Sequence, residues 1–364
     1  MSAIITDMYI KTFRGISELR LSDLGSVNLI VGDNNCGKTS LLESIRIVCS
    51  DPDITNIAYL ALQRDRVAPS IFRTNRLVSL RTLLTAKKTD YVLDIEAIIK
   101  KQEKRQIVIN AKKNEKIVNH NNFKSKKNIK ISEESEEEIE VLSGKITGIK
   151  TTINNKQKKT NEKLFEFHKY SEVQKLPQND IHVEFLNSTD HLGKHKFFGV
   201  HNKDLKNTID LLQLFDPNIK DLRIDIDDKT HSQTWIVEDQ HGGFLPLAAF
   251  GDGTKKIISF AEIIASMNDG ILLIDEFEMS IHSRAMESVF GFLIKACKSK
   301  GIQLFLTTHS IEALDKIIKC CENSNSLDEL KIITLTRNEL GAFAIENNGI
   351  NAKKFRFDNE AELR

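Results

Sequence analysis

The sequence predicts an α/β fold in which buried strands alternate with helices, and three stretches carry that prediction. The apolar run VNLIV (27–31) leads through a glycine-containing loop, VGDNNCGKTS (31–40), into SLLESIRIV, where apolar residues recur at helical spacing. ILLIDE (271–276) sets four apolar residues before two acids, and LFLTTHS (304–310) ends another apolar run in hydroxyls and a histidine. Short continuous apolar runs bounded by turn residues read as strands buried on both faces of a parallel sheet.

The chain's 364 residues, 40% of them apolar, suffice for one large domain or two smaller ones. Lysine and arginine (52) nearly cancel aspartate and glutamate (51), so the overall charge does not announce a nucleic-acid binder. Five cysteines without a CxxC pair or a histidine-flanked cluster argue against a disulfide framework and a zinc site. The opening stretch is interrupted by Asp7, Lys11 and Arg14, unlike a leader peptide. No apolar run approaches the roughly 18 residues of a membrane span. A soluble, cytoplasmic protein without membrane contact is expected.

Along the chain, AIITDMYIKTF, ISELRLSDL and SVNLIVG alternate as strands, and the helix after the glycine loop stops at Ser50-Asp51-Pro52. Residues 75–86 read as helix, and YVLDIEAII and RQIVINAK as strands. From about 112 to 163 the chain is rich in Lys, Asn and Glu, with only VLSGKITGIKTTI reading as a strand. This segment reads as a solvated insertion with mobile loops. The alternative is a docking surface for a partner or nucleic-acid backbone through Lys124, Lys126, Lys127 and Lys130; the acidic block EESEEEIE beside it opposes phosphate. Strand, helix and two paired strands (221–226 and 233–238) follow from 181. FGDGTKKIISFAEIIASM is then a glycine-rich loop entering a helix, and strand, helix (282–299), strand, helix (310–321) and a final strand LKIITLTR complete the pattern.

The loop has the spacing Gly32-x-x-x-x-Gly37-Lys38-Thr39, the P-loop pattern, between the strand and helix that the motif requires. Its glycines let successive N–H groups from Gly32 through Asn34, Asn35, Cys36 and Gly37 to Ser40 form an anion nest at a helix N-terminus. Lys38 reaches for β- and γ-phosphates, and the Thr39 hydroxyl for Mg²⁺. Asp275 ends a buried strand where parallel sheets bind ligands, suiting it to the Mg²⁺ shell. Glu276 next to it suits a general base or water-positioner. His309 follows this pair by one helix and one strand, a spacing that sets it beside Glu276 in a β-α-β crossover.

The order of FRG (13–15), GDNNCGKTS, GDG (251–253), LLIDEFE and TTHS resembles the ABC-type ATPase heads of the RecF/SMC/OLD group. The likeness extends to compact AAA-domain ATPases of prokaryotic defence and toxin–antitoxin-like operons. It covers residues 1–50 and 245–320 well and the middle loosely. It implies a P-loop NTPase fold of ABC-ATPase head type, with an inserted lobe between the Walker A and Walker B motifs. The expected organisation is an ATPase lobe with Walker A (1–112), a charged, partly mobile insertion (113–180) and a second ATPase lobe (181–364). No sustained heptad marks a coiled coil, so the insertion is expected to be compact. The resemblance further implies ATP and Mg²⁺ as cofactors and ATP hydrolysis as the activity. Two heads, at least a homodimer, would sandwich two nucleotides, each also touched by Gly251, Gly253 and Thr254 of the other head. It suggests Arg14 as a phosphate or adenine contact, His309 as the γ-phosphate switch and EMSIH (278–282) as the segment crossing between heads. Phe250 stands where relatives have a serine, so that either Thr254 replaces that hydroxyl or the contact between heads is weak, and Phe277 stands where many have proline.

Some relatives carry a Toprim nuclease domain after the ATPase; the residues after Arg337 hold no such acidic constellation, and RIDIDD (223–228) precedes the Walker B strand. Cutting of nucleic acid would therefore fall to a separate subunit. Three functions stay open: an ATPase controlling a nuclease or toxin effector, a RecF-like ATPase clamping DNA, and a non-hydrolysing scaffold with ATP as dimer glue.

Overall fold

The computed structural model describes residues 3–65, 76–87, 90–119, 136–171, 173, 180–188, 202–213, 216–226, 233–338, 341–354 and 356. Lys124, Lys126, Lys127 and Lys130, with most of the acidic block, lie outside the described residues.

At the centre is a six-stranded sheet in the order β16-β15-β3-β14-β13-β9. Its members are β3 (Val27–Val31), β9 (Val183–Leu186), β13 (Gly270–Ile274), β14 (Ile302–Thr308), β15 (Leu330–Asn338) and β16 (Gly341–Asn348). All neighbours run parallel except the β15–β16 hairpin. Every residue of β3, β13 and β14 is buried, because side chains leave alternately toward two cores. Ile30, Ile271, Leu273 and Phe305 enter one core; Leu29, Val31, Leu272, Ile274, Leu304 and Leu306 enter the other. Parallel pairing needs long crossovers, and α6 (Ser283–Ser299) supplies the one joining β13 to β14.

The first core is closed by an antiparallel sheet, β2-β1-β5-β6-β7-β8, built from β1 (Ile5–Phe13), β2 (Ile16–Leu21), β5 (Asp90–Ile99), β6 (Glu103–Asn119), β7 (Glu136–Thr152) and β8 (Lys158–His168). Helix α1 (Lys38–Val48) packs between the two sheets, touching β14 on one side and β1, β5 and β6 on the other. With it in this core are α2 (Ile54–Asp65) and α3 (Arg76–Leu83). The second core lies under α5 (Asp252–Ser266), α6, α7 (Ile311–Asn323) and a three-stranded meander, β10 (Ile219–Ile226), β11 (Gln233–Asp239) and β12 (Gly243–Pro246). Helix α4 (Asn202–Leu212) packs on α5, and α8 (Gly349–Lys353) caps the far end.

Three expectations need correction. The segment 112–163 is mostly sheet where it is described: β6 and β7 pair continuously from Glu103↔Thr152 to Asn119↔Glu136. Its charges pair across strands, as in Lys113–Glu140 (2.6 Å) and Lys145–Glu162 (2.7 Å), while Ile107, Ile109 and Ile146 face the core. The expected boundary at 112/113 accordingly falls inside β6, and β3 of the first lobe lies between β15 and β14 of the last. Helix α3 ends at Leu83, because Thr85–Lys87 (β4) pairs with Asp90–Val92, on the edge that β1 occupies further along β5. Finally, β16 follows the strand read as the last one. Among the described residues no helix is long and apolar enough to cross a membrane.

Candidate active site

Register alone brings the three motifs together. Val31 pairs with Thr308, and Ile274 with Leu306, so the carboxyl ends of β3, β14 and β13 lie side by side. The glycine loop leaves β3 there, Asp275 and Glu276 leave β13, and His309 leaves β14. This is the sheet edge at which α/β folds bind ligands.

The loop is curled by Gly32 (φ 146°), Asn35 (φ 64°) and Gly37 (φ 111°). A Cβ on Gly32 would lie 2.3 Å from the Leu335 carbonyl oxygen, so glycine is required by both torsion and space. Asp33, Asn34 and Asn35 are exposed, whereas Cys36 is buried, its thiol pushed up chiefly by desolvation. Lys38 is buried and donates to the carbonyls of Gly32 (2.7 Å) and Asp33 (2.8 Å), which holds its ammonium within the curve of the loop. Gly37 is the N-cap of α1 and offers no capping side chain, so the helix's first N–H groups and positive dipole end suit an anion.

Asp275 joins the motifs directly. Its Oδ2 accepts from the Thr39 hydroxyl (2.8 Å) and its Oδ1 from the Thr307 hydroxyl (2.5 Å). Thr307 also accepts from the Glu276 backbone N–H at 2.8 Å. Thr39 and the buried Asp275 therefore stand next to each other as two oxygen donors. A hard divalent cation such as Mg²⁺ needs few protein ligands of this kind, taking the rest from phosphate and water. Among the described residues no cluster of three His, Cys, Asp or Glu side chains is placed to hold a metal, so a thiolate- or imidazole-rich site has no support. The donor set fits Mg²⁺–nucleotide.

His309 lies on the expected edge but contacts Glu278: its backbone N–H donates to Glu278 Oε1 at 3.1 Å, and its Nδ1 lies 3.3 Å from the same oxygen. Met279 and Ser280 are exposed beyond it, while Ile281 is buried. Arg14 projects from the β1–β2 turn (φ 53°) to place Nη1 2.9 Å from Glu43 Oε2 on α1, so it braces the helix that follows the loop. Phe277 fills the core edge-on to Phe290, ring centroids 5.9 Å apart.

The GDG segment is at the N-terminus of α5. Gly251 and Asp252 are exposed, and a Cβ on Gly251 would meet nothing within 4 Å. Thr254, in the first turn of α5, is 8% exposed. The ring of Phe250 is partly buried against the second core. Sequence reasoning missed Lys256, which is 3% exposed and donates to the carbonyls of Glu276 (3.1 Å) and Met279 (2.6 Å). The only signal was a lysine beside the apolar stripe of α5. Burial pulls its ammonium down to about 8, against the attraction of Glu278, Glu276 and Asp275.

A P-loop at a parallel sheet edge, with a hydroxyl and an acid meeting at its mouth, defines a P-loop nucleotide-binding protein. The fold is similar to the SMC head bound to the C-winged helix domain of ScpA (TM-score 0.52, 12% identity, 96% of this chain and 100% of that one). It is equally similar to the Pyrococcus furiosus SMC head with an extended coiled coil bound to the C-terminal domain of ScpA (TM-score 0.52, 9% identity, 98% and 99%). The chain belongs to the family described as "AAA domain, putative AbiEii toxin, Type IV TA system", whose profile matches residues 27–315. A Helicobacter pylori protein named ATP/GTP phosphatase is 22% identical over 352 residues, covering 87% of this chain and 89% of the relative. An uncharacterized Methanocaldococcus jannaschii protein, MJECL11, is 35% identical over 69 residues, 19% of this chain and 60% of its own length. The chain is thus a P-loop ATPase of the AAA type with the fold of the SMC heads.

Proposed function

We propose that the protein hydrolyses ATP with Mg²⁺, dimerises head to head around two nucleotides, and uses its nucleotide state to control a separate effector, a nuclease or toxin subunit. The observation that carries the reading is the Thr39–Asp275–Thr307 chain of hydrogen bonds, which ties the loop, the acidic strand and the switch strand into one site. Lys38 and the loop amides hold the phosphates, and Asn34, Asn35, Cys36 and Ser40 shape their cradle. Thr39 and Asp275 hold Mg²⁺, whose charge would draw electron density from the phosphate oxygens. Glu276 orients the attacking water and accepts its proton, and His309 senses the γ-phosphate. Gly251 supports the two-headed arrangement: neither its φ of −66° nor its own surroundings require glycine, which suits close approach by another molecule. Control of an effector rests on the family's toxin association and on ScpA binding by the SMC heads.

The test is ATP turnover and oligomeric mass measured together, for wild type and Glu276→Gln, with and without duplex DNA. ATP-driven dimerisation that Glu276→Gln traps, with turnover abolished, is the expected result. ATP binding without turnover or change of mass would refute it, and DNA-stimulated turnover with steep salt dependence would make DNA the partner.

A further inference from the structure

Glu276 has a φ of 48°, in the left-handed region where a residue with a side chain carries a steric cost. Two side chains from other elements grip its two peptide groups. Thr307, near the end of β14, accepts from its N–H at 2.8 Å. Lys256, in the second turn of α5, donates to its carbonyl at 3.1 Å and to that of Met279 at 2.6 Å. An apolar side chain would fill the Lys256 position without the desolvation cost of an ammonium that is only 3% exposed. Packing alone therefore does not explain the lysine; its two acceptors in the turn after β13 do.

The elements supplying these clamps are the ones that lead to the two other proposed γ-phosphate contacts. Helix α5 starts at the Gly251–Gly253 segment, and β14 runs on into His309. We infer that Lys256 and Thr307 are positioning residues that hold the Glu276 backbone in its left-handed form and so aim its carboxylate at the attacking water. This rests on the reading of Glu276 as the residue that handles that water. The hydrogen bonds of Lys256 go to the carbonyls of the turn after β13, so its loss is expected to affect the chemical step and spare binding. Displacement of a catalytic group by about 1 Å costs about 100-fold in rate.

The experiment measures binding of a fluorescent ATP analogue with Mg²⁺, ATP turnover, and melting temperature, for wild type, Glu276→Gln, Lys256→Met, Lys256→Arg, Thr307→Val and Thr307→Ser. Lys256→Met is expected to keep Kd within about threefold while kcat falls about 10- to 100-fold. Lys256→Arg, which retains donors, recovers part of that loss, and Thr307→Ser recovers most of what Thr307→Val removes. A wild type that binds ATP without turning it over sinks the hydrolytic reading and this one with it. If wild type turns over, Glu276→Gln does not, and Lys256→Met matches wild type, the positioning role alone is wrong. A Lys256→Met protein whose Kd, kcat and melting temperature all worsen together, with no recovery in Lys256→Arg, makes the lysine a packing residue and also overturns the inference.

Discussion

Gly251→Ala is a substitution whose effects within one chain and between two chains can be separated. Within the chain the new methyl meets nothing within 4 Å, and φ −66°, ψ 161° suits any residue. Alanine is a poor helix N-cap, but Gly251 supplies no side-chain cap either, so that term is below about 1 kcal/mol. Reduced freedom of the unfolded chain returns about 0.4–1 kcal/mol. The two nearly cancel, and the melting temperature should stay within about 3 °C of the parent. Between chains, the methyl stands where a partner's γ-phosphate would approach the amides at the start of α5. Losing one charge-assisted hydrogen bond costs about 1.5–3 kcal/mol, or about 10- to 100-fold in dimer affinity. Sedimentation in a Glu276→Gln background, with Mg²⁺–ATP, reads that shift, and turnover of Gly251→Ala alone should fall in parallel. A dimer of unchanged affinity and an unchanged kcat would refute the shared-site geometry.

Gly32→Ala should abolish nucleotide binding while leaving a folded chain, since the methyl would lie 2.3 Å from the Leu335 oxygen and force the loop open; isothermal titration with Mg²⁺–ATP checks this. Gln303→Leu should cost at least about 3 kcal/mol in urea unfolding, because it strips partners from the N–H groups of Ile4 and Ile5 and from the Ile5 carbonyl deep in the core, each worth about 1–3 kcal/mol when left unpaired. Lys256 gives a pH dependence of defined sign. Its folded-state pKa of about 8 lies below the ordinary 10.5, so the unfolded chain binds more protons between those values and stability rises with pH there. Relative to Lys256→Met, wild type should gain up to about 3 kcal/mol between pH 8 and 10.5, read by urea denaturation across that window. A flat difference would show that the ammonium is not desolvated.

The charged middle of the chain shows why composition misleads over strands. Lys and Glu in β6, β7 and β8 pair across strands beside the apolar residues that face the core, so the signal is alternation rather than mean hydropathy. That alternation is diluted where both faces carry long charged side chains, and pairing partners up to 49 residues apart, as in Glu103↔Thr152, leave no local trace. β16 was missed for a related reason: its exposed Phe343 and Ile345 blur the expected contrast between faces.

By itself the sequence determined the chemistry available: a glycine loop that only left-handed torsions permit, a lysine and hydroxyl after it, and two buried strands ending in acids and hydroxyls. These are local properties, set by torsion, spacing and burial within about ten residues. Tertiary structure decided which of those groups meet. Thr39 and Asp275, 2.8 Å apart, are joined through the register of β3, β14 and β13 rather than through chain proximity. It also distinguished neighbours that the sequence leaves equivalent. In GDGTKKIISF, Lys255 pairs with Asp252 at 3.2 Å, whereas Lys256 is buried against the carbonyls of the turn that carries Glu276. A helix turns about 100° per residue, so adjacent lysines point in different directions. Only the packing of α5 against the turn after β13 decides which of them reaches Glu276.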